Sequence, residues 1–152
     1  MIIVDKSSVD QFLNQKKIAI IGVSRDSQQF ANTAYRFLKS NGYTVFPINP
    51  YAERIEGDAC YPNIRLLPER VDAALIFLPS EKVMSVLPAI VETGIKHIWL
   101  QQGTESREAI DYCQKHFLNV VYGECILMFA KPVGFPHRLH GWGNKIIGKY
   151  PK

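Results

Sequence analysis

The sequence predicts a three-layer α/β domain: a doubly wound parallel sheet of five strands with helices on both faces. Three observations carry this expectation. Short apolar runs of strand length alternate along the chain with helical patterns of roughly 10 to 15 residues. The runs are nearly continuously apolar, as strands covered on both faces must be. Each of the first three ends at a chain-turning signal: Gly22, Asn49-Pro50 and Pro79. With right-handed crossovers the expected strand order is 3-2-1-4-5.

The elements follow in order. Ser8 with Gln11 has capping-box spacing and predicts a short helix through Phe12 and Leu13, ended by Lys16-Lys17. Ile18 to Val23 is the first strand, too short for a helix and rich in isoleucine. Phe30, Ala34, Phe37 and Leu38 then recur at helical spacing, with Asp26 or Ser27 as the expected N-cap and Asn41-Gly42 as the stop. Tyr43 to Ile48 is the second strand, with Pro47 placed where no ladder N–H is needed. A turn is expected near Glu56-Gly57-Asp58 and a helical turn around Ile64 to Leu67. Val71 to Leu78 is the third strand, followed by a helix capped by Ser80, carrying Val83, Leu87, Ile90 and Val91 on one face. Pro88 should kink that helix by removing a backbone bond, and Gly94 should end it. Ile95 to Gln101 is the fourth strand, "GTESREAIDYCQKHF" a loop and helix, and Asn119 to Tyr122 the fifth strand.

A length of 152 residues with 47% hydrophobic and 21% charged residues is that of one ordinary globular domain. The expected division is a domain over 1–130 and a basic amphipathic tail over 131–152, packed on the domain or extending from it. That tail holds much of the excess behind the net charge of +4. It is the surface on which a protein partner or a second copy could dock. No apolar run approaches the roughly 18 residues of a membrane span, and the start lacks the basic and long apolar regions of a signal peptide. A cytoplasmic protein is expected. Cys60, Cys113 and Cys125 are an odd number with no CxxC pair, so reduced thiols are expected. His137 and His140 are three apart but have no further ligands beside them, so no metal is expected. With no aromatic-basic stripe elsewhere, neither is nucleic acid.

Ligands of doubly wound sheets bind beyond the carboxyl ends of the strands, where the strand order reverses, here expected between strands one and four. The loop "GVSRDSQQ" then brings a glycine for a tight turn, the Ser24 hydroxyl, the Arg25 guanidinium and the start of a helix to one rim, a combination suited to phosphate. The dinucleotide fingerprint GxGxxG is absent, and Asn49-Pro50 stands where an NAD site wants an acid, with Glu53 beyond the strand end.

Taken together, "GVSRDSQQFAN", "VFPINP", "IFLPSEKV", "GIKHIWLQQG" and "VVYGECI" resemble the coenzyme A binding domain family. This Rossmann-like domain also forms the N-terminal part of the succinyl-CoA synthetase α subunit and of ADP-forming acyl-CoA synthetases. The resemblance runs over about Lys16 to Met128. It implies coenzyme A as the ligand. The ADP end would lie across the first loop, where Gly22, Ser24 and Arg25 contact phosphate and Val23 and Asn32 belong to the same segment. Asn49 and Pro50 would flank the adenosine. Leu78, Pro79, Gln101, Gln102 and Gly103 would line the pantetheine arm, and Cys125 matches the cysteine just after strand five. In the synthetases the phosphorylated histidine lies in a second domain, and the stretch from Gly123 to Lys152 is too short for another α/β layer. Ligase activity is therefore expected to need a partner chain.

The expectation is a coenzyme A or acyl-CoA binding protein, an accessory or regulatory module without catalytic residues of its own. Neither a Ser-His-Asp pattern nor a paired-carboxylate pattern stands out in the sequence. The alternatives are an NAD(P)-dependent enzyme using the same crevice, and a partner-binding module whose nucleotide site is vestigial.

Overall fold

The structure is a computed structural model and describes residues 6–130. The basic tail expected over 131–152, with His137 and His140, lies outside the described residues. The helices are α1 (Lys6–Leu13), α2 (Phe30–Ser40), α3 (Ser80–Val83), α4 (Leu87–Glu92) and α5 (Arg107–Lys115). The strands are β1 (Lys17–Ile21), β2 (Thr44–Ile48), β3 (Arg54–Ile55), β4 (Asp58–Ala59), β5 (Ala73–Ile76), β6 (His97–Gln101) and β7 (Asn119–Glu124). Short 3-10 turns cover Ile64–Leu66 and Ile126–Met128. Among the described residues no helix is long and apolar enough to cross a membrane.

The five long strands form one parallel sheet in the order β2-β1-β5-β6-β7. Numbered as five, this is 2-1-3-4-5, so the expected order 3-2-1-4-5 is corrected while the α/β, doubly wound class stands. Pro47 supplies the physical reason. The Pro47 carbonyl accepts from the Tyr61 N–H at 3.0 Å, on the side away from β1. Because the N and C=O of a strand residue face the same side, the missing N–H of Pro47 also points outward, where a further parallel strand would have lost a ladder bond. β2 is thus an edge strand. β1 is central, with Ile18 to Ile21 paired to Val45 to Ile48 on one side and to Ala73 to Ile76 on the other.

Alternate residues of each strand feed two cores, as the two-residue period of a strand requires. Ile18 and Ile20 with Ala73, Leu75, Trp99 and Val121 meet Phe12 of α1 and Ala34, Tyr35 and Leu38 of α2. Ala19 and Ile21 with Ala74, Ile76, Ile98 and Leu100 meet Val83, Leu87, Ile90 and, from α5, Ala109 and Cys113. Trp99 is the largest fully buried side chain. Its ring packs edge-on against Phe12 at 5.2 Å, and its indole N–H donates to the Glu124 carbonyl at 3.1 Å.

Several element ends differ from expectation. Ser8 lies inside α1, and the Gln11 side-chain amide donates instead to the Ser7 hydroxyl. α2 starts at Phe30, because Asp26 closes a separate turn ahead of it: its carboxylate accepts from the Gln28 N–H and its carbonyl from the Gln29 N–H. Pro79, not Ser80, precedes α3. The kink expected at Pro88 is a full break into α3 and α4, with Pro88 in the first turn of α4, where its missing N–H costs nothing.

Candidate functional site

The loop after β1 is shaped by one glycine. Gly22 has φ +104°, and a Cβ there would sit 3.0 Å from the backbone of Phe77, just past the end of β5. Only glycine lets the chain turn so close to its neighbour. Val23 then dives into the core, and its carbonyl accepts from the Asn49 side-chain amide at 2.9 Å. The Asn49 side-chain oxygen in turn accepts from the Tyr51 N–H at 2.7 Å, so this side chain fastens the β1 and β2 loops together.

Asn32 braces the same loop from α2. Its side-chain oxygen accepts from the Ser24 N–H at 2.9 Å, and its amide donates to the Ser24 carbonyl at 2.7 Å and to the Glu56 carboxylate at 2.9 Å. It is 1% exposed, and every polar atom of the side chain is used. The Ser24 hydroxyl accepts from the Asp26 N–H at 2.9 Å. Sequence reasoning counted Asn32 and Asn49 as ligand contacts; the structure commits their amides to holding the loops.

Between these loops and the α3–α4 wall lies a cavity of about 540 Å³. It sits at the carboxyl ends of β1 and β5, where successive crossovers leave in opposite directions. The switch point is therefore between strands one and three, and the expected position between one and four is corrected. Of the predicted site residues the cavity gathers Gly22, Val23, Ser24, Asn49, Pro50 and Leu78. Arg25 and Pro79 are exposed beside it without lining it. Gln101 is buried, its side-chain oxygen accepting from the Ile126 N–H at 3.0 Å, while Gln102 and Gly103 are exposed on the loop after β6. Cys125 is half-buried ahead of the last 3-10 turn, away from the cavity lining.

Sequence reasoning put the loop "LPSEK", which ends in Lys82, on the ligand rim but named none of the opposite wall as site residues: Asn63 and Arg65 at the 3-10 turn, and Lys82, Ser85 and Ala89 from the broken helix. Arg65 is held by Glu92, with nitrogen–oxygen distances of 2.8 and 2.9 Å. Lys82 forms no ion pair among the described residues. Among the described residues no carboxylate side chain lines the cavity. Its walls are mostly apolar, from Ile21, Ile48, Ile64, Leu78, Val86 and Ile90, with a few polar groups, the usual make-up of a small-molecule site. Pro47 was the signal that could have found this wall, since a second strand confined to the edge puts the third beside the first.

Among the described residues no cysteine lines the cavity. Burial pushes the Cys60 thiol up and the Cys113 thiol up to about 12. Among the described residues no cluster of three or more His, Cys, Asp or Glu could hold a metal ion.

The profile of the CoA binding domain family matches residues 16–131. The α subunit of acetate–CoA ligase (ADP-forming) II from Pyrococcus furiosus is 26% identical over 129 residues, 78% of this chain and 28% of that subunit, so the chain spans little more than a quarter of it. The uncharacterized protein YneT from Bacillus subtilis is 24% identical over 122 residues, 80% of this chain and 90% of that protein. Among solved structures, a hypothetical protein from Pyrococcus horikoshii superposes with a TM-score of 0.77 at 28% identity, covering 81% of this chain and 87% of that one.

Proposed function

The chain belongs to the CoA binding domain family, and from that premise we propose that its cavity binds coenzyme A or an acyl-CoA. One observation carries the reading: an apolar-walled space at the switch point that offers Arg65 and Lys82 and, among the described residues, no carboxylate. Such a lining favours a ligand with an apolar or flat body and a polyanionic group. An NAD site wants an acid for the adenosine ribose, and the acid that follows the second strand, Glu53, is exposed outside the lining.

In this reading Gly22, Val23 and Ser24 border the ADP end, Asn49 and Pro50 flank the adenosine, and Leu78 meets the start of the arm. The arm leaves over Pro79 and the exposed Gln102 and Gly103. The module acts without catalytic residues of its own, delivering or sensing the coenzyme for a partner. A relative matched over nine-tenths of its length supports a role for the domain apart from a ligase.

Isothermal titration with coenzyme A, acetyl-CoA, NAD and NADP in parallel tests this. The expected result is heat from the two coenzyme A compounds and none from NAD, with Ala89→Phe, which fills the cavity, removing the coenzyme A heat while the protein stays folded. Binding of NAD in preference to coenzyme A would overturn it.

A further inference from the structure

The first loop carries the features that suggest a phosphate site, yet four of its backbone donors are spent inside the fold. The N–H groups of Ser24, Asp26, Gln28 and Gln29 are taken, in that order, by Asn32, the Ser24 hydroxyl, the Asp26 carboxylate and the Asp26 carbonyl. Asp26 sets a negative charge against the turn that leads into α2, and the Glu56 carboxylate sits 2.9 Å from the Asn32 amide one turn further on. Glu56 is paired with Arg36 at 2.8 Å, so an incoming phosphate would meet those four satisfied donors and the Asp26 carboxylate there, which costs binding energy. The opposite wall differs in that its cations line the cavity, whereas Arg25 does not. Lys82 lines the cavity with no ion-pair partner among the described residues. Arg65, which lines the same cavity, is paired with Glu92 through side chains that are 54% and 63% exposed. Exposed pairs of this sort are held weakly and can open to a stronger anion.

We propose that a phosphate of the coenzyme is read by Lys82, with Arg65 as its support, on the wall formed by the broken helix and the 3-10 turn rather than at the start of α2. The proposal rests on the coenzyme A reading above and assigns the recognition of charge within it. Lys82 and Ser85 are three residues apart and both line the cavity, and the Ser85 hydroxyl donates to the Lys82 carbonyl at 2.6 Å, which ties the two lining residues together. The break at Pro88 turns α4 so that Ala89 and Ile90 give the apolar floor next to this cation.

The test titrates coenzyme A, 3′-dephospho-coenzyme A and pantetheine into the wild type, Lys82→Gln, Lys82→Arg and Arg25→Gln. Lys82→Gln should weaken coenzyme A by about tenfold, the usual scale for one charge-assisted bond to phosphate. Lys82→Arg should keep most of the affinity, Arg25→Gln should leave it nearly unchanged, and pantetheine should not distinguish the four proteins. Loss with coenzyme A alone places the contact at the 3′-phosphate, and loss with both nucleotides places it at the diphosphate; either supports the proposal. If the wild type binds coenzyme A and Lys82→Gln binds it equally well, or if Arg25→Gln carries the loss, the charge assignment falls and the coenzyme A reading stands. Absence of coenzyme A binding by the wild type would overturn both.

Discussion

At the scale of single residues, Asn32 shows how a side chain can serve a site without touching its occupant. Removing it leaves the Ser24 N–H and C=O and the Glu56 carboxylate each short of a partner in a part-buried place. Asn32→Ala should therefore lower the free energy of unfolding by about 1–3 kcal/mol, the cost of orphaned buried polar groups. Chemical denaturation checks it, and a loss within the roughly 0.5 kcal/mol typical of surface substitutions would show that the brace is unimportant. Residue chemistry marked Gly22 and Ser24, and the family resemblance marked Asn49 and Leu78, because glycine, small polar residues and strand-ending signals have local causes. Lys82 and Arg65 could not be read that way. Their place in the cavity depends on which strand lies beside β1, a long-range fact to which a lysine in a helix bears no witness.

At the scale of elements, the β3–β4 hairpin is pinned to α2. Glu56 and Gly57 both take positive φ, 54° and 82°, at the two central positions of the turn, matching the twist of a two-residue hairpin. Asp58 beyond the turn accepts from the Tyr35 hydroxyl at 2.6 Å and from Lys39 at 2.8 Å. Burial by itself would raise the Asp58 carboxyl, but the hydrogen bonds from Lys39 and Tyr35 outweigh it and hold it below its ordinary value. A carboxylate lowered on folding stabilises the native state above its unfolded pKa, and that contribution is lost as pH falls from about 4 through the lowered native value. The unfolding midpoint of the wild type should thus fall more steeply on acidification than that of Asp58→Asn, which cannot titrate there. Parallel slopes for the two proteins would contradict the clamp. The turn itself was legible from Glu56-Gly57-Asp58. The two ion-paired contacts to α2, Arg36 with Glu56 and Lys39 with Asp58, were not, since they join residues about 20 positions apart through space.

At the scale of the whole molecule, the number and sense of the five long strands were legible because each buried strand is a continuous apolar run, but their ends were not: the third, expected over Val71 to Leu78, is Ala73–Ile76. Their order was not read correctly, although Pro47 carried the needed information: a strand with no outward N–H belongs at the edge. Moving β5 next to β1 shifts the switch point, and the whole cavity moves with it, away from Gln101 and Cys125 and onto the α3–α4 break. The backbone does not create this cavity by strand order alone. Pro88 ends α3 and restarts the helix, and the Arg65–Glu92 pair joins the 3-10 turn to α4, so the wall facing Gly22 comes from two elements that lie apart in sequence.

The central claim is that coenzyme A enters this cavity. Amide chemical shifts recorded during titration of isotope-labelled protein with coenzyme A test it most directly. The account predicts perturbations concentrated at Gly22, Ser24, Asn49, Tyr51, Leu78, Lys82, Ser85 and Ala89, with Phe117 and the far end of the sheet unmoved. Perturbations centred on Gln102, Gly103 and Cys125, with the β1 loop and the α3–α4 wall silent, would contradict it.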